Sequence, residues 1–147
     1  MPTGDANRGF GDDTFGGQIN LPFSTAIRDS WFVHLNAGLT YLPNAGVDRE
    51  QHLLHFNLGS SIIYAATRDI HFLLEWVGGW NEMPKSSGTL HREFAAIISP
   101  GVRKAFNLPN DAQLVLGIAA PIGLTRSAPD FGVLFYLSFE HLFQKRK

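Results

Sequence analysis

Apolar and polar side chains alternate with a period of two along most of this chain, and the last run is the clearest. Phe131, Val133, Phe135, Leu137, Phe139, His141 and Phe143 take the odd positions, with Gly132, Leu134, Tyr136, Ser138, Glu140 and Leu142 between them. Successive side chains of a strand point to opposite faces, so the odd set forms one aromatic-rich face roughly 40 Å long at about 3.3 Å per residue. Such a face is too long and too apolar for an ordinary soluble strand. It suits a strand with lipid on one side and a polar lumen on the other.

Six earlier segments alternate in the same way: residues 14–24, 31–41, 51–66, 70–80, 92–103 and 112–123. Together with residues 131–143 they predict an all-β antiparallel meander of about seven strands, with no helix. The connections differ in kind. Residues 28–30, 67–69 and 107–111 are short and rich in turn formers, whereas 42–50, 81–91 and 125–130 are longer and polar. Short and long links alternate strictly, as in outer-membrane barrels, where short turns face the periplasm and longer loops face outside.

On that reading the chain is one domain, the C-terminal part of a transmembrane β-barrel. Residues 1–13 form an outer loop, 14–143 the strands and 144–147 a tail. Bacterial single-chain barrels have an even strand count with both ends periplasmic. Seven strands that begin outside therefore predict an odd number of preceding strands, so the N-terminal part of the barrel is expected to be missing.

The alternation sorts the rings and the polar groups. Phe15, Tyr41, Trp80, Phe94 and Phe131 fall at the outer ends of the apolar face, and Phe23, Trp31, Tyr64, Phe72 and Phe143 at the inner ends. Eight to twelve residues at ~3.3 Å each, tilted about 40°, span roughly 20 to 30 Å, the height of a band between membrane-interface aromatic girdles. The opposite face carries Gln18, Asn20, His34, Asn36, His55, Asn57, His71, Glu75, Glu93, Arg103, Tyr136 and Glu140 as predicted lumen-lining residues, among many Gly, Ala and Ser.

Composition narrows the classes. Hydrophobic residues are 44% and charged residues 17% of the chain, the latter below the usual quarter or so, so less surface than usual is built to meet water. A net charge of −1 gives no reason to expect a nucleic-acid partner, and the one basic run is Lys145-Arg146-Lys147. The absence of cysteine removes disulfides and thiolate metal sites. No window reaches the roughly 20 apolar residues of a membrane helix. Met1-Pro2-Thr3-Gly4-Asp5 lacks the basic start and apolar stretch of a signal peptide. A bacterial outer-membrane protein needs one, so either this chain is a fragment or the barrel reading is wrong.

Candidate chemistry is sparse. His34, His55 and His71 share the polar face of consecutive segments, with Glu75 near His71, but a metal needs three or four ligands within about 2.0 to 2.3 Å of one ion. Lumen lining is the expected role. His52 and His91 fall in or beside outer loops, and His141 faces out near the inner rim. Glu75, Glu93, Arg103 and Glu140 are placed to pair across a lumen or set ion preference. A hydrolase needs an exposed Ser beside a His with an orienting acid, whereas Ser60 and Ser61 sit mid-strand. Gly9-Phe10-Gly11 and Gly16-Gly17 have no Lys-Ser/Thr after them, so they fit no phosphate loop. No catalytic residue, metal or cofactor is predicted.

Three stretches together resemble the outer-membrane transporters grouped as the "meta-pathway of phenol degradation" family. They are Pro2-Thr3-Gly4-Asp5 with Gly9-Phe10-Gly11, then Trp31-Phe32-Val33-His34-Leu35-Asn36-Ala37-Gly38, and finally 113–123 with Ala128-Pro129-Asp130 and the aromatic last strand. Family members carry a signal sequence and several strands before the Pro-Thr-Gly loop. This chain departs from them in ending Phe143-Gln144-Lys145-Arg146-Lys147, where a terminal aromatic is usual. The resemblance implies an outer-membrane channel for small, hydrophobic or aromatic compounds. Its partners would be the lipid bilayer and the assembly machinery that engages the C-terminal strand. Two other readings stay open: a soluble β-barrel or sandwich binding an apolar ligand, with the two faces reversed, and a structural anchor with a plugged lumen.

Overall fold

The computed structural model describes residues 14–45, 50–84, 89–109 and 112–141. The expected outer loop 1–13, Phe143 and the tail 144–147 lie outside them. Eight strands form a single antiparallel sheet: β1 (Gly17–Arg28), β2 (Trp31–Ala45), β3 (Gln51–Ala65), β4 (Ile70–Pro84), β5 (Leu90–Leu108), β6 (Ala112–Ala119), β7 (Ile122–Gly123) and β8 (Leu134–His141). Their order is β1-β2-β3-β4-β5-β6-β8, with β7 paired to β5. Among the described residues there is no helix, and β1 and β8 do not pair, so the sheet is not closed.

The count of eight corrects the expected seven, and proline is the reason. β6 and β7 hold one register against β5, with Gly101 opposite Ala119 and Ile98 opposite Ile122. Between them Pro121 has no N–H to give to the ladder. The Ala120 N–H still donates to the Pro100 carbonyl at 2.9 Å, so the interruption is confined to the proline. The last strand is likewise shorter than the alternation. It runs as a ladder only from Leu134, preceded by an isolated bridge from Ile122 to Phe131.

Elsewhere strands run further than the apolar pattern. β1 continues to Arg28, β2 to Ala45 through Asn44 (φ 52°, a left-handed value that Asn tolerates), and β4 to Pro84. Two of the three longer connections therefore shrink, to residues 46–50 and 85–89, while the last lengthens to 124–133. At the opposite end, side chains tie the short turns. Thr67 Oγ1 accepts the N–H groups of Asp69 and Ile70 at 3.2 and 2.9 Å. Asn107 donates to Asp69 at 3.0 Å, and Gln113 to Asn107 at 2.9 Å.

A sheet ordinarily buries its apolar face against another layer. This one has no second layer among its described residues, and its fully buried apolar side chains are few, the largest being Leu53 at 1% exposure. Large apolar residues instead lie open along every full-length strand, from Ile19 and Leu21 on β1 to Phe135 and Phe139 on β8.

Candidate functional site

The pairing register assigns every side chain to a face, because directly opposed residues of an antiparallel pair share one. One face carries Trp31, Val33, Leu35, Ala37, Leu39 and Tyr41 of β2, opposed by Tyr64, Ile62, Ser60, Leu58, Phe56 and Leu54 of β3. The same face continues through Phe72, Leu74, Trp76, Gly78 and Trp80 of β4 into Val102, Pro100, Ile98, Ala96 and Phe94 of β5. No charged residue interrupts it between Phe94 and Val102.

Both ends of this band are marked. At the long-link end Trp80 lies between Phe56 and Phe94, with ring centroids 5.4 and 4.6 Å away. One pair further out the face becomes charged. Glu82 accepts from Arg92 at 2.5 Å and from the Leu54 N–H at 2.8 Å, and His52 stacks on Tyr41, whose hydroxyl lies 3.1 Å from His52 Nδ1. At the short-turn end Trp31 packs on Tyr64 at 4.8 Å, in the transverse row of Phe72 and Val102. Just beyond, Lys104 leans toward the turn and places Nζ 5.0 Å from the Phe106 ring.

Across the central strands these aromatic borders follow pair rows, with Phe56, Trp80 and Phe94 in one and Trp31, Tyr64 and Phe72 in another, and the flanking rings are displaced from them. Traced across the sheet, Phe131 shares a row with Ile122, Ile98, Trp76, Ser60 and finally Leu35, six residues short of Tyr41, after five strand-to-strand steps. The other border drifts the same way. Phe23 stands in the Leu35 row, Trp31 four residues beyond it, and Phe106 and Phe139 four beyond that. From Tyr41 to Phe131 the displacement averages about 1.2 residues per strand, roughly 40° at ~3.3 Å rise and ~4.8 Å spacing, and it is taken up outside the level central rows.

The other face is stepped and mixed, its polar rows flanking an apolar one that holds Phe32, Ile63, Leu73 and Leu134. All the predicted lumen-lining residues fall on it. Gln18, Thr40 and His55 make one row, and Asn20, Gly38 and Asn57 the next. Ser24, His34, Ser61, Glu75 and Ser99 share another, with His34 Nδ1 2.7 Å from Ser24 Oγ. His71, Arg103, Gly117 and Tyr136 form a fourth, in which Arg103 Nε donates to His71 Nδ1 at 3.2 Å. Glu93 pairs with Asn81, and Glu140 with Gln113. A Cβ at Gly38 would meet the carboxamide oxygens of Asn20 and Asn57, so the bare backbone leaves room for both side chains over this row.

The three histidines do not converge. His34 sits opposite Ser61, His55 opposite Thr40 six residues along β2, and His71 opposite Arg103 on another row. Ser60 lies on the apolar face opposite Leu35 and Trp76, away from the histidines.

Several polar groups on this face are buried without a partner among the described residues: Gln51 Oε1, His55 Nδ1, Asn57 Oδ1, Ser61 Oγ and Ser99 Oγ. Buried polar atoms are almost always hydrogen-bonded, to protein or to water. Orphans gathered on one face call for water or a solute against it.

Sequence reasoning passed over Phe56, Phe106 and Lys104 as border residues and Ser24, Ser61 and Ser99 as one row. Each is an unexceptional member of its alternation, and only the cross-strand register gives it neighbours. Compared with family models, curated proteins and solved structures, the chain matches none.

Proposed function

We propose that this chain is wall from an outer-membrane β-barrel that conducts small solutes, with its polar face toward a water-filled lumen. The observation that carries the reading is the apolar face itself: an uncovered, charge-free band with rings and then charges at each end. An exposed apolar surface of this extent marks a partner or a membrane. Along β5 the band runs from Phe94 to Val102, about 26 Å of strand at ~3.3 Å per residue, or roughly 20 Å of height at 40° tilt, near the apolar band of about 25 Å in such barrels.

The oblique borders support the same reading. Membrane interfaces are level, while barrel strands tilt by about 35–45°, so aromatics that follow an interface must drift across the pair rows. The end-to-end displacement from Tyr41 to Phe131, roughly 40° on average, has that size. Lys104 fits too, because a lysine near an interface lays its stem along the apolar surface and turns its ammonium outward. A soluble ligand-binding barrel would instead enclose Phe135, Leu137 and Phe139, which are 82%, 71% and 63% exposed.

The unpaired edges of β1 and β8 call for further strands in a finished wall, since open backbone edges do not survive in hydrocarbon. The resemblance to the phenol meta-pathway transporters points to small hydrophobic or aromatic solutes. Cell fractionation tests the assignment: the protein should sediment with outer membranes and require detergent for extraction. A monodisperse, detergent-free soluble monomer would contradict it.

A further inference from the structure

The long link that follows β7 does not rise away from the wall but curls back over the polar face. Gly123 stands opposite Ile97, in the row that runs on through Val77, Gly59 and Asn36, so a side chain there would point to that face. A Cβ built at Gly123 would collide with the Pro129 carbonyl oxygen and lie 3.3 Å from the Ala128 Cβ. The Ala128-Pro129 peptide therefore occupies the polar side of the wall, and glycine leaves it room. Ala128 is buried, whereas Arg126, Ser127, Pro129 and Asp130 are open.

Hydrogen bonds tie the segment at its ends and across its middle. The Gly123 N–H donates to the Asp130 carbonyl at 3.1 Å, and the Gly132 N–H to the Pro121 carbonyl at 2.9 Å. Beside β5 the Leu124 N–H donates to the Ala96 carbonyl at 2.8 Å, and the Ala96 N–H donates in return to Thr125 Oγ1 at 3.1 Å. The Ala128 N–H closes a turn on the Thr125 carbonyl at 3.1 Å. From Ala96 β5 continues to Leu90, paired with β4 as far as Pro84. The segment thus lies alongside a taller stretch of wall, not above its rim.

We infer that residues 124–130 are an inward-turned loop that narrows the conduit beside β5 and limits the size of solute that passes. The narrowing rests on the conduit reading; the placement of the loop on the polar face does not. Arg126 and Asp130 balance each other in charge, so the loop obstructs by bulk.

Placement is tested by disulfide trapping in the folded full chain, which has no cysteine of its own. Under mild oxidation Ala128→Cys should bond to Ile97→Cys, which shares the row of Gly123. The control pairs Ala128→Cys with Ile98→Cys, the next residue on β5, whose side chain points to the apolar face. The first pair should form at least fivefold faster, and Gly123→Val should slow it by about that factor by taking the place of the Pro129 carbonyl. Equal rates for the two pairs, or a rate indifferent to Gly123→Val, would overturn the placement.

Narrowing is read from the swelling of outer-membrane vesicles as neutral sugars enter, using cells that produce the protein and lack general porins. Gly123→Val should speed entry of a trisaccharide at least threefold and barely change that of a pentose. Thr125→Val, which removes the hydroxyl that holds the Ala96 N–H, should act in the same direction and keeps the test decisive if Gly123→Val fails to fold. Trisaccharide entry unchanged by a folded variant would overturn the constriction. Swelling no greater than in vesicles without the protein would overturn the conduit reading and the constriction with it, while the disulfides would still place the loop.

Discussion

The two faces of this sheet are built from the same strands and obey opposite rules. One presents Leu35, Leu39, Phe56, Ile62, Leu74 and Ile98 with rings at its borders and no charge between them; the other presents His34, Asn36, Asn57, Ser61, Glu75 and Ser99. In a soluble sheet the apolar side is the one covered. Here it is uncovered, while the orphaned hydroxyls and carboxamides lie opposite. On the proposed reading, the difference reflects a sheet organised around two solvents, an apolar one outside and water within, with backbone hydrogen bonds as the partition.

The largest expected effect comes from the open edges. Each unsatisfied backbone group in hydrocarbon costs several kcal/mol, so the 147-residue chain alone should give no single-channel steps in a planar bilayer. Discrete steps would show that the edges close without further strands. Next is a charge placed on either face. Ile98→Arg, at the middle of the apolar band, should cost about 2–4 kcal/mol of unfolding free energy in lipid vesicles. Val77→Arg, on the polar face of the adjoining strand, should cost less than half as much. Equal costs would erase the distinction between the faces.

A smaller loss is expected at the border. Trp80→Ala removes two ring contacts, each worth about 0.5–1.5 kcal/mol beyond buried area, and should destabilise the protein in vesicles by roughly 1–3 kcal/mol. The smallest effect is the sharpest for the polar face. If water reaches Ser99, Ser99→Ala should change stability by less than about 0.5 kcal/mol. A gain of 1 kcal/mol or more would mean that a desolvated, unsatisfied hydroxyl had been removed and that this face is dry.

The strands and their two faces were legible in the sequence because a period of two is imposed directly by the pleat. Strand ends were less so. Ladder hydrogen bonds carry β1 past Ser24 to Arg28, and β4 past Trp80 through Asn81, Glu82 and Met83, where the apolar signal has already stopped. Phe23 illustrates the consequence: read as a strand-end ring, it stands opposite Leu35, well inside the ladder. The division of the sixth strand is written in Pro121, but the alternation around it gives no other sign. The polar-face site was partly visible: Glu75, Arg103 and Tyr136 were recognisable one by one. That Arg103 and Tyr136 share a row through Gly117, while Glu75 stands in another with Ser99, depends on a register between segments that spacing along the chain does not contain.

The chain's tryptophans, Trp31, Trp76 and Trp80, all lie on the apolar face, with Trp76 midway between the rows of the other two. Fluorescence quenching of single-tryptophan variants in bilayers of brominated lipids therefore addresses the central claim directly. Bromines deep in the acyl chains should quench Trp76 most strongly, and bromines near the headgroups should quench Trp31 and Trp80 most strongly. Three tryptophans indifferent to brominated lipid but fully open to a water-soluble quencher would place the apolar face away from the membrane and contradict the account.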